Sequence, residues 1–311
     1  MNHRIRKVAQ HLSRRVERRL HGIRAIFTYG PSRRRAHTNR DGTLQNSITR
    51  EGPMDLNLSG KTAIVTGASR GIGLATVKAL IGEGVRVAGI SRTITPELKE
   101  SGAIAISADL SVADQATAAV RSAVNDLGHI DLLVNNAGAV GAPADFVDID
   151  NDAWAATFNT NFFSAVRVTR AVLPSLINRR GAVVNVSSVS ARMPSGVPTP
   201  YATSKAALTM LTKSLSEELG SRGVRFNTVS PGPIRTDLWE APGSFGAQVA
   251  SRLGTDHQDF VGDLAENFNV TLRRLAEPEE IAQLIAYLLS DCAANITGSD
   301  IVTDGGMKKT V

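Results

Sequence analysis

The sequence predicts a doubly wound α/β fold: a single domain with one parallel seven-stranded sheet and helices on both of its faces. Three observations lead there. Seven short β-branched runs alternate with stretches of helical periodicity between residues 61 and 303. Glycines stand between the first run and the first helix, the geometry of an anion site at a helix N-terminus. The polar residues with chemistry to offer follow strand ends, which gathers them on one rim of the sheet. The unbroken alternation argues for one domain rather than two, at a length that buries a full-sized core.

Composition bounds the partners. The chain has 311 residues, a formal net charge of +6 and one cysteine. Thirteen of its 35 basic residues and two of its 29 acidic residues lie in 1–50, which leaves the remainder mildly acidic. In that tail Ile5, Val8, Leu12, Val16, Leu20 and Ile23 recur at steps of three and four with arginines between them, a basic amphipathic pattern. Beyond Gly30 the tail is polar and aperiodic and reads as disordered. Such a segment suits an organelle transit peptide, an anionic membrane surface or non-specific nucleic-acid contact. The plainer expectation is that residues 1–53 are not part of the working protein, which would begin at Met54. No specific nucleic-acid partner is expected, and membrane contact only through the tail. The lone Cys292 excludes an internal disulfide framework and a cysteine-rich metal site, so no metal is expected. Among apolar neighbours near a helix end, it is expected to be buried and inert. The cytoplasm is the expected compartment, with organelle targeting the alternative that the tail offers.

The first strand, 61–66 (K-T-A-I-V-T), runs into G-A-S-R-G-I-G (67–73) and an Ala/Leu-rich helix to about Glu83. Gly67 allows a tight turn, Gly71 a close approach of backbone to phosphates, and Gly73 close packing of helix on strand. The spacing is G-x-x-x-G-x-G, so the common G-x-G-x-x-G fingerprint is not met. The second strand, 85–90, ends in Ser91-Arg92, where a site for NAD would set a carboxylate against the ribose hydroxyls. Arg92 stands there instead, with Arg70 in the glycine loop, and two guanidiniums suit a 2′-phosphate. NADP(H) is the expected cofactor and NAD(H) the alternative. Strand 103–107 leads to Asp109, helix 112–127 follows, and strand 131–134 leads to Asn135-Asn136-Ala137-Gly138. A long helix near 151–178 precedes strand 182–186, which runs out at Ser188. A Pro/Gly-rich loop then enters a helix carrying Tyr201 and Lys205, one turn apart on one face. An ammonium beside a phenol favours phenolate, so the cation is expected to pull the tyrosine down toward neutral pH. Strand 224–229 with Pro231-Gly232, a variable stretch 237–272, helix 278–290 and strand 300–303 complete the chain.

Taken together, T-G-A-S-R-G-I-G (66–73), N-N-A-G (135–138), Asn161, Ser188, Y-A-T-S-K (201–205), P-G-P-I-R-T (231–236) and D-G-G (304–306) resemble the short-chain dehydrogenase/reductase family. The resemblance runs from about Leu56 to Met307 and implies a Rossmann-like sheet and an oxidoreductase acting on CH–OH donors with NADP+. It implies that Tyr201 is the proton donor or base, that Lys205 modulates it and holds the nicotinamide ribose, and that Ser188 hydrogen-bonds the carbonyl oxygen. Asn161 would hold a helix distortion and a water that links Lys205 to solvent. The loop of Gly67, Ser69, Arg70, Gly71, Ile72 and Gly73 would hold the pyrophosphate. Asp109 would meet the adenine, Asn136 and Gly138 the adenosine side, and Ile234 and Thr236 the carboxamide. Ser91, Arg92, Leu110, Ala137, Pro231 and Gly232 complete the expected cofactor contacts.

The expected reaction interconverts a ketone and a secondary alcohol. The rival reading is an NADPH-binding sensor or scaffold with little turnover. Loop 189–200 and the segment 237–272 are expected to meet the substrate. The latter, with Leu238, Trp239, Phe245 and Phe260 among glycines, reads as a lid over an apolar pocket. An aliphatic or cyclic ketone, a 3-oxoacyl thioester and a sugar-derived ketone each fit. The resemblance also implies a homo-oligomer, a tetramer or dimer, pairing the helices that hold Asn161 and Tyr201.

Overall fold

The first strand, β1 (Thr62–Thr66), is buried at every position, as a strand covered on both faces must be. It feeds α1 (Gly71–Gly82), which stops before Gly84, a residue in the left-handed region at φ 78°. β2 (Arg86–Ser91), α2 (Pro96–Glu100), β3 (Ile104–Ser107), α3 (Ala113–Leu127) and β4 (Leu132–Asn135) follow. The long helix expected near 151–178 is three pieces: α4 (Asn151–Phe158), a π-helical turn over Asn159–Phe163, and α5 (Ser164–Arg179). Next come β5 (Ala182–Val186), α6 (Thr199–Leu219) and β6 (Arg225–Pro231). The variable stretch folds as α7 (Asp237–Glu240), α8 (Phe245–Leu253), α9 (His257–Gly262) and α10 (Leu264–Asn267). The chain ends with α11 (Pro278–Leu289), opened by a Glu277/Glu280 capping box, and β7 (Asp300–Thr303). This computed structural model describes residues 55–194 and 196–310; the readings made for residues 1–53 lie outside the described residues.

All seven strands are parallel, in the order β3-β2-β1-β4-β5-β6-β7. The expected seven-stranded doubly wound sheet is the one observed. Strand order reverses between β1 and β4, so the glycine loop after β1 and Asn136–Gly138 after β4 flank the switch point. Side chains alternate along each strand and split the core in two. Ala63 and Val65 pack with Val77 and Leu80 of α1 and Ile281 and Ile285 of α11. Ile64 points the other way, to Val120 of α3, Val168 and Val172 of α5, and Leu219 of α6. Each such aliphatic side chain, fully buried, contributes about 1.5–3 kcal/mol. That is what fixes the rim on which the polar residues sit.

Two expectations are corrected. Trp239, Phe245 and Phe260 are not loose lid residues among glycines: with Val140, Leu264 and Leu275 they form one buried cluster, against which Tyr201 packs. Trp239 meets Phe245 and Phe268 edge-on, each with ring centroids 5.6 Å apart. Helices this short have no independent stability and need such packing to persist. Leu238 is exposed. Cys292 is exposed rather than buried, because the turn Asp291–Ala293 directs Ala293 inward and leaves the thiol outside, donating to the Asp55 carbonyl at 3.3 Å.

Candidate active site

The glycine loop is built around contacts that leave no room for a side chain. A Cβ on Gly73 would stand 2.1 Å from the Gly67 carbonyl oxygen, and one on Gly67 (φ 65°) 2.9 Å from Ala137 Cα. Asn136 braces the loop by donating from Nδ2 to the carbonyls of Thr66 and Gly67 at 3.0 and 3.1 Å. Its amide is therefore committed to the loop itself. Thr66, which the sequence did not single out, accepts at Oγ1 from the backbone N–H of Asn136 (3.0 Å) and Ala137 (3.1 Å). Ser91 joins the same loop, its hydroxyl accepting from the Ser69 N–H at 3.1 Å. The Ser69 hydroxyl donates to the Thr93 carbonyl.

The other residues expected to meet a cofactor lie on the rim around this loop or in the core beneath it. Arg70 is 76% exposed, with the Asp237 carboxylate 3.9 Å away. Arg92 is exposed, close enough to Asp109 to help hold that carboxyl below its usual range. The larger cause is Ser111, whose hydroxyl and backbone N–H both donate to Asp109 at 2.7 and 2.9 Å. Leu110 is buried in the core, and Ile72 packs on its other cluster. Gly232 lies against Asp304, where a Cβ would be 2.8 Å from Cα. Ile234 is buried, and Thr236 reaches the glycine loop, its Cγ2 lying 3.3 Å from where a Cβ on Gly71 would be. The loops after β1 and β6 thus close on one groove. Two exposed guanidiniums, no carboxylate after β2, and a backbone cradle that a Cβ would fill are a donor set that fits a phosphorylated dinucleotide.

At the centre, Asn161, Ser188, Tyr201 and Lys205 come together. Lys205 is 4% exposed, and its ammonium donates to the Val186 carbonyl at 2.8 Å. It lies 5.8 Å from the Tyr201 ring centroid. Asn161, in the π-helical turn, is fully buried and uses its whole amide. Its Oδ1 accepts from the Ala139 N–H at 2.8 Å, while Nδ2 donates to the Ala139 carbonyl at 2.9 Å and to Ser204 Oγ at 3.0 Å. Ser204, which the sequence did not single out either, donates in turn to the Tyr201 carbonyl at 2.7 Å. Gly138 fits between the two: a Cβ there would sit 3.2 Å from Lys205 Nζ and 3.3 Å from Asn161 Oδ1. Ser188 Oγ accepts from the Ser190 N–H at 3.1 Å, which leaves its own proton free to donate elsewhere.

The electrostatics differ from the expectation in one respect. Burial dominates and pushes the Tyr201 phenol above its ordinary value, against a smaller lowering by the Ser188 hydroxyl. The same burial lowers Lys205 to about 8. Desolvation penalises whichever form is charged, so a buried phenol goes up while a buried ammonium comes down. The pair is therefore a neutral acid beside an easily deprotonated cation.

Comparison with known proteins agrees with this geometry. The short chain dehydrogenase family model matches residues 61–244. The 3-oxoacyl-acyl-carrier-protein reductase FabG of Vibrio harveyi is 38% identical over 264 residues, 81% of this chain and 99% of that protein. Carbonyl reductase (NADPH) 2 of Sus scrofa is 35% identical, over 81% of this chain and 98% of that protein. Among solved structures, L-sorbose reductase from Gluconobacter frateurii, complexed with NADPH and L-sorbose, superposes with a TM-score of 0.76 at 30% identity. That superposition covers 83% of this chain and all of the reductase. The chain belongs to the short-chain dehydrogenase family, and is an oxidoreductase by that membership.

Proposed function

We propose that residues 54–311 form an NADP(H)-dependent oxidoreductase that interconverts a ketone and a secondary alcohol. The observation that carries this reading is the convergence of Ser188, Tyr201, Lys205 and Asn161 beside Gly138, on the rim that also holds the glycine loop. NADPH, when bound, supplies the hydride that the carbonyl carbon receives. Everything else comes from the chain. Ser188, its oxygen already engaged by the Ser190 N–H, keeps its proton and donates a hydrogen bond to the carbonyl oxygen where negative charge develops. The Tyr201 phenol, held protonated by its burial, is the acid that completes the alcohol. Lys205 stabilises the phenolate left behind, and Asn161 keeps the loop after β4 registered against α6. In the oxidative direction the same residues run in reverse.

Arg70 and Arg92 support NADP(H) over NAD(H). Self-association, as a dimer or tetramer, is supported by an apolar stripe running from Phe146 through Trp154, Phe158 and Phe162 to Phe163. Phe163 is 43% exposed and Met210 of α6 65%. Among the described residues no helix is long and apolar enough to cross a membrane.

The test is Tyr201→Phe, assayed with both cofactors over a carbonyl panel. Turnover should fall by about 10²–10⁴-fold, while NADPH binding, read by its fluorescence, changes by less than about twofold. Activity persisting within a few-fold would remove Tyr201 from its role. Preference for NADH would overturn the cofactor reading.

A further inference from the structure

The oxidoreductase reading leaves the ketone open among three chemistries, and the surroundings of Tyr201 discriminate between them. Tyr201 packs against a cluster containing Val140 from the loop after β4 and Trp239, Phe245 and Leu264 from residues 237–275. Phe268 packs against that cluster and also against a second one, formed by Val189, Val270 and Met307 with Met193 alongside. One ring thus joins the apolar cluster beside Tyr201 to the cluster that contains Val189, the residue after Ser188. The loop between them lies on the same ring, since a Cβ on Gly196 would be 3.5 Å from Phe268 Cε1.

The charges of these loops are turned elsewhere. Arg192 pairs with Asp300 at 2.8 Å, Arg235 with Glu240 and Glu277 at 3.0 Å each, and Arg252 with Asp145 at 3.4 Å. Arg273, exposed, lies beyond the helices on the return stem. The outer surface over α7–α10 is acidic: Asp256, Asp259, Asp263 and Glu266 are exposed against Arg252, while Asp237 and Glu240 face Arg70 and Arg235. A thioester carried on phosphopantetheine or coenzyme A brings phosphate anions toward that surface and is repelled by it. A polyol ketone would set hydroxyls against the partly buried Phe268 and Met193, each hydroxyl left unpartnered at a cost of about 1–3 kcal/mol.

We propose, resting on the oxidoreductase reading, that the substrate is a small uncharged ketone with apolar groups on both sides of the carbonyl, and that phosphopantetheine-type thioesters and polyol ketones are discriminated against by the acidic cover and the Phe268 wall. The experiment compares kcat/KM of the full chain with NADPH for cyclohexanone, a methyl alkyl ketone, an aryl ketone, acetoacetyl-CoA and L-sorbose. The best apolar ketone should exceed the thioester and the sugar by at least about tenfold. Equal or better turnover of the thioester or the sugar overturns the substrate class while leaving the oxidoreductase reading intact. Absence of turnover with every carbonyl and either cofactor overturns that reading, and the substrate class with it. A second variant isolates the charge argument. The triple change Asp259→Lys, Asp263→Lys, Glu266→Lys should raise kcat/KM for acetoacetyl-CoA about tenfold at low salt, with the apolar ketone unchanged within twofold. No rise in that variant overturns the role given to the acidic cover.

Discussion

Replacing Lys205 with methionine should abolish turnover and at the same time flatten the protein's alkaline stability profile. The ammonium is 4% exposed and donates to the Val186 carbonyl at 2.8 Å. Burial lowers its pKa from 10.5 to about 8. At about 1.4 kcal/mol per pH unit, that drop amounts to about 3 kcal/mol of folding free energy withheld at neutral pH. The sign follows from proton counting. Between pH 8 and 10.5 the unfolded chain binds more protons at this lysine than the folded one, so stability rises with pH there. Below pH 8 both states are protonated and the penalty is present in full. Methionine fills similar apolar volume and carries no charge, which removes the penalty. It also loses a charge-assisted hydrogen bond worth about 1.5–3 kcal/mol. At about pH 7 the two effects nearly cancel, leaving the variant within about 1–2 kcal/mol of the wild type. By about pH 10 the wild type has regained most of that roughly 3 kcal/mol and the variant has not. Urea denaturation of both proteins at about pH 7 and about pH 10 reads this directly. The stability difference should move by about 2–3 kcal/mol in the wild type's favour between the two pH values. A difference that stays constant within about 0.5 kcal/mol would show that the buried lysine is not desolvated in the way described.

Gly138→Ala puts a methyl 3.2 Å from Lys205 Nζ and 3.3 Å from Asn161 Oδ1, so the ammonium must yield by a few tenths of an ångström. Misplacement on that scale should lower kcat about tenfold with little change in NADPH binding, measured by steady-state kinetics and fluorescence titration. Gly73→Ala meets the Gly67 carbonyl at 2.1 Å, a backbone clash with no relief, and should abolish NADPH binding in the same titration. Asp131 accepts from the Thr62 N–H at 2.9 Å and from Arg179 at 2.8 Å. Burial raises its carboxyl, but the Arg179 and Thr62 hydrogen bonds outweigh that and hold it below the usual 3.8. Its contribution is therefore present above the unfolded value and lost as pH falls through the lower folded one. Asp131→Asn should cost about 1–3 kcal/mol near neutral pH, a gap that narrows as denaturation is repeated below about pH 4.

Much of this architecture is legible in the residues. The strands show because a parallel sheet covered on both faces demands continuous apolar β-branched runs such as T-A-I-V-T. The glycines show because Gly67 and Gly73 answer to local backbone contacts. Tyr201 and Lys205 show because one helical turn relates them. What escaped is what depends on distant packing. The π-helical turn is implied only by the resemblance, through Asn161; Trp154, Phe158, Phe162 and Val166 recur every four residues straight through it, so the spacing reads as one continuous helix. Phe268 reads as one more aromatic in a variable stretch until the fold brings it against both Trp239 and the cluster of Val189, Val270 and Met307. Cys292 sits among apolar neighbours in the chain, and only the turn after α11 decides that it faces outward.

The tyrosine–lysine pair shows why spacing alone misjudged the chemistry. Proximity of a cation to a phenol argues for phenolate, but proximity acts only after desolvation has set the reference. Here both groups are withdrawn from water, and burial moves them in opposite directions. The result is a tyrosine that keeps its proton and a lysine near the edge of losing one. For carbonyl reduction that is the useful order, because the acid must still hold its proton when the carbonyl arrives. Asn161 makes the arrangement durable. Every polar atom of its amide is engaged, by Ala139 on one side and Ser204 on the other. Ser204 passes the constraint to the Tyr201 backbone, and Gly138 leaves just enough space for Lys205. A π-helical turn is a costly local geometry that recurs at functional sites. At Asn161 it faces an amide inward to tie the loop after β4 to the helix that carries Tyr201, which links the rim beside the glycine loop to that tyrosine through hydrogen-bonded side chains.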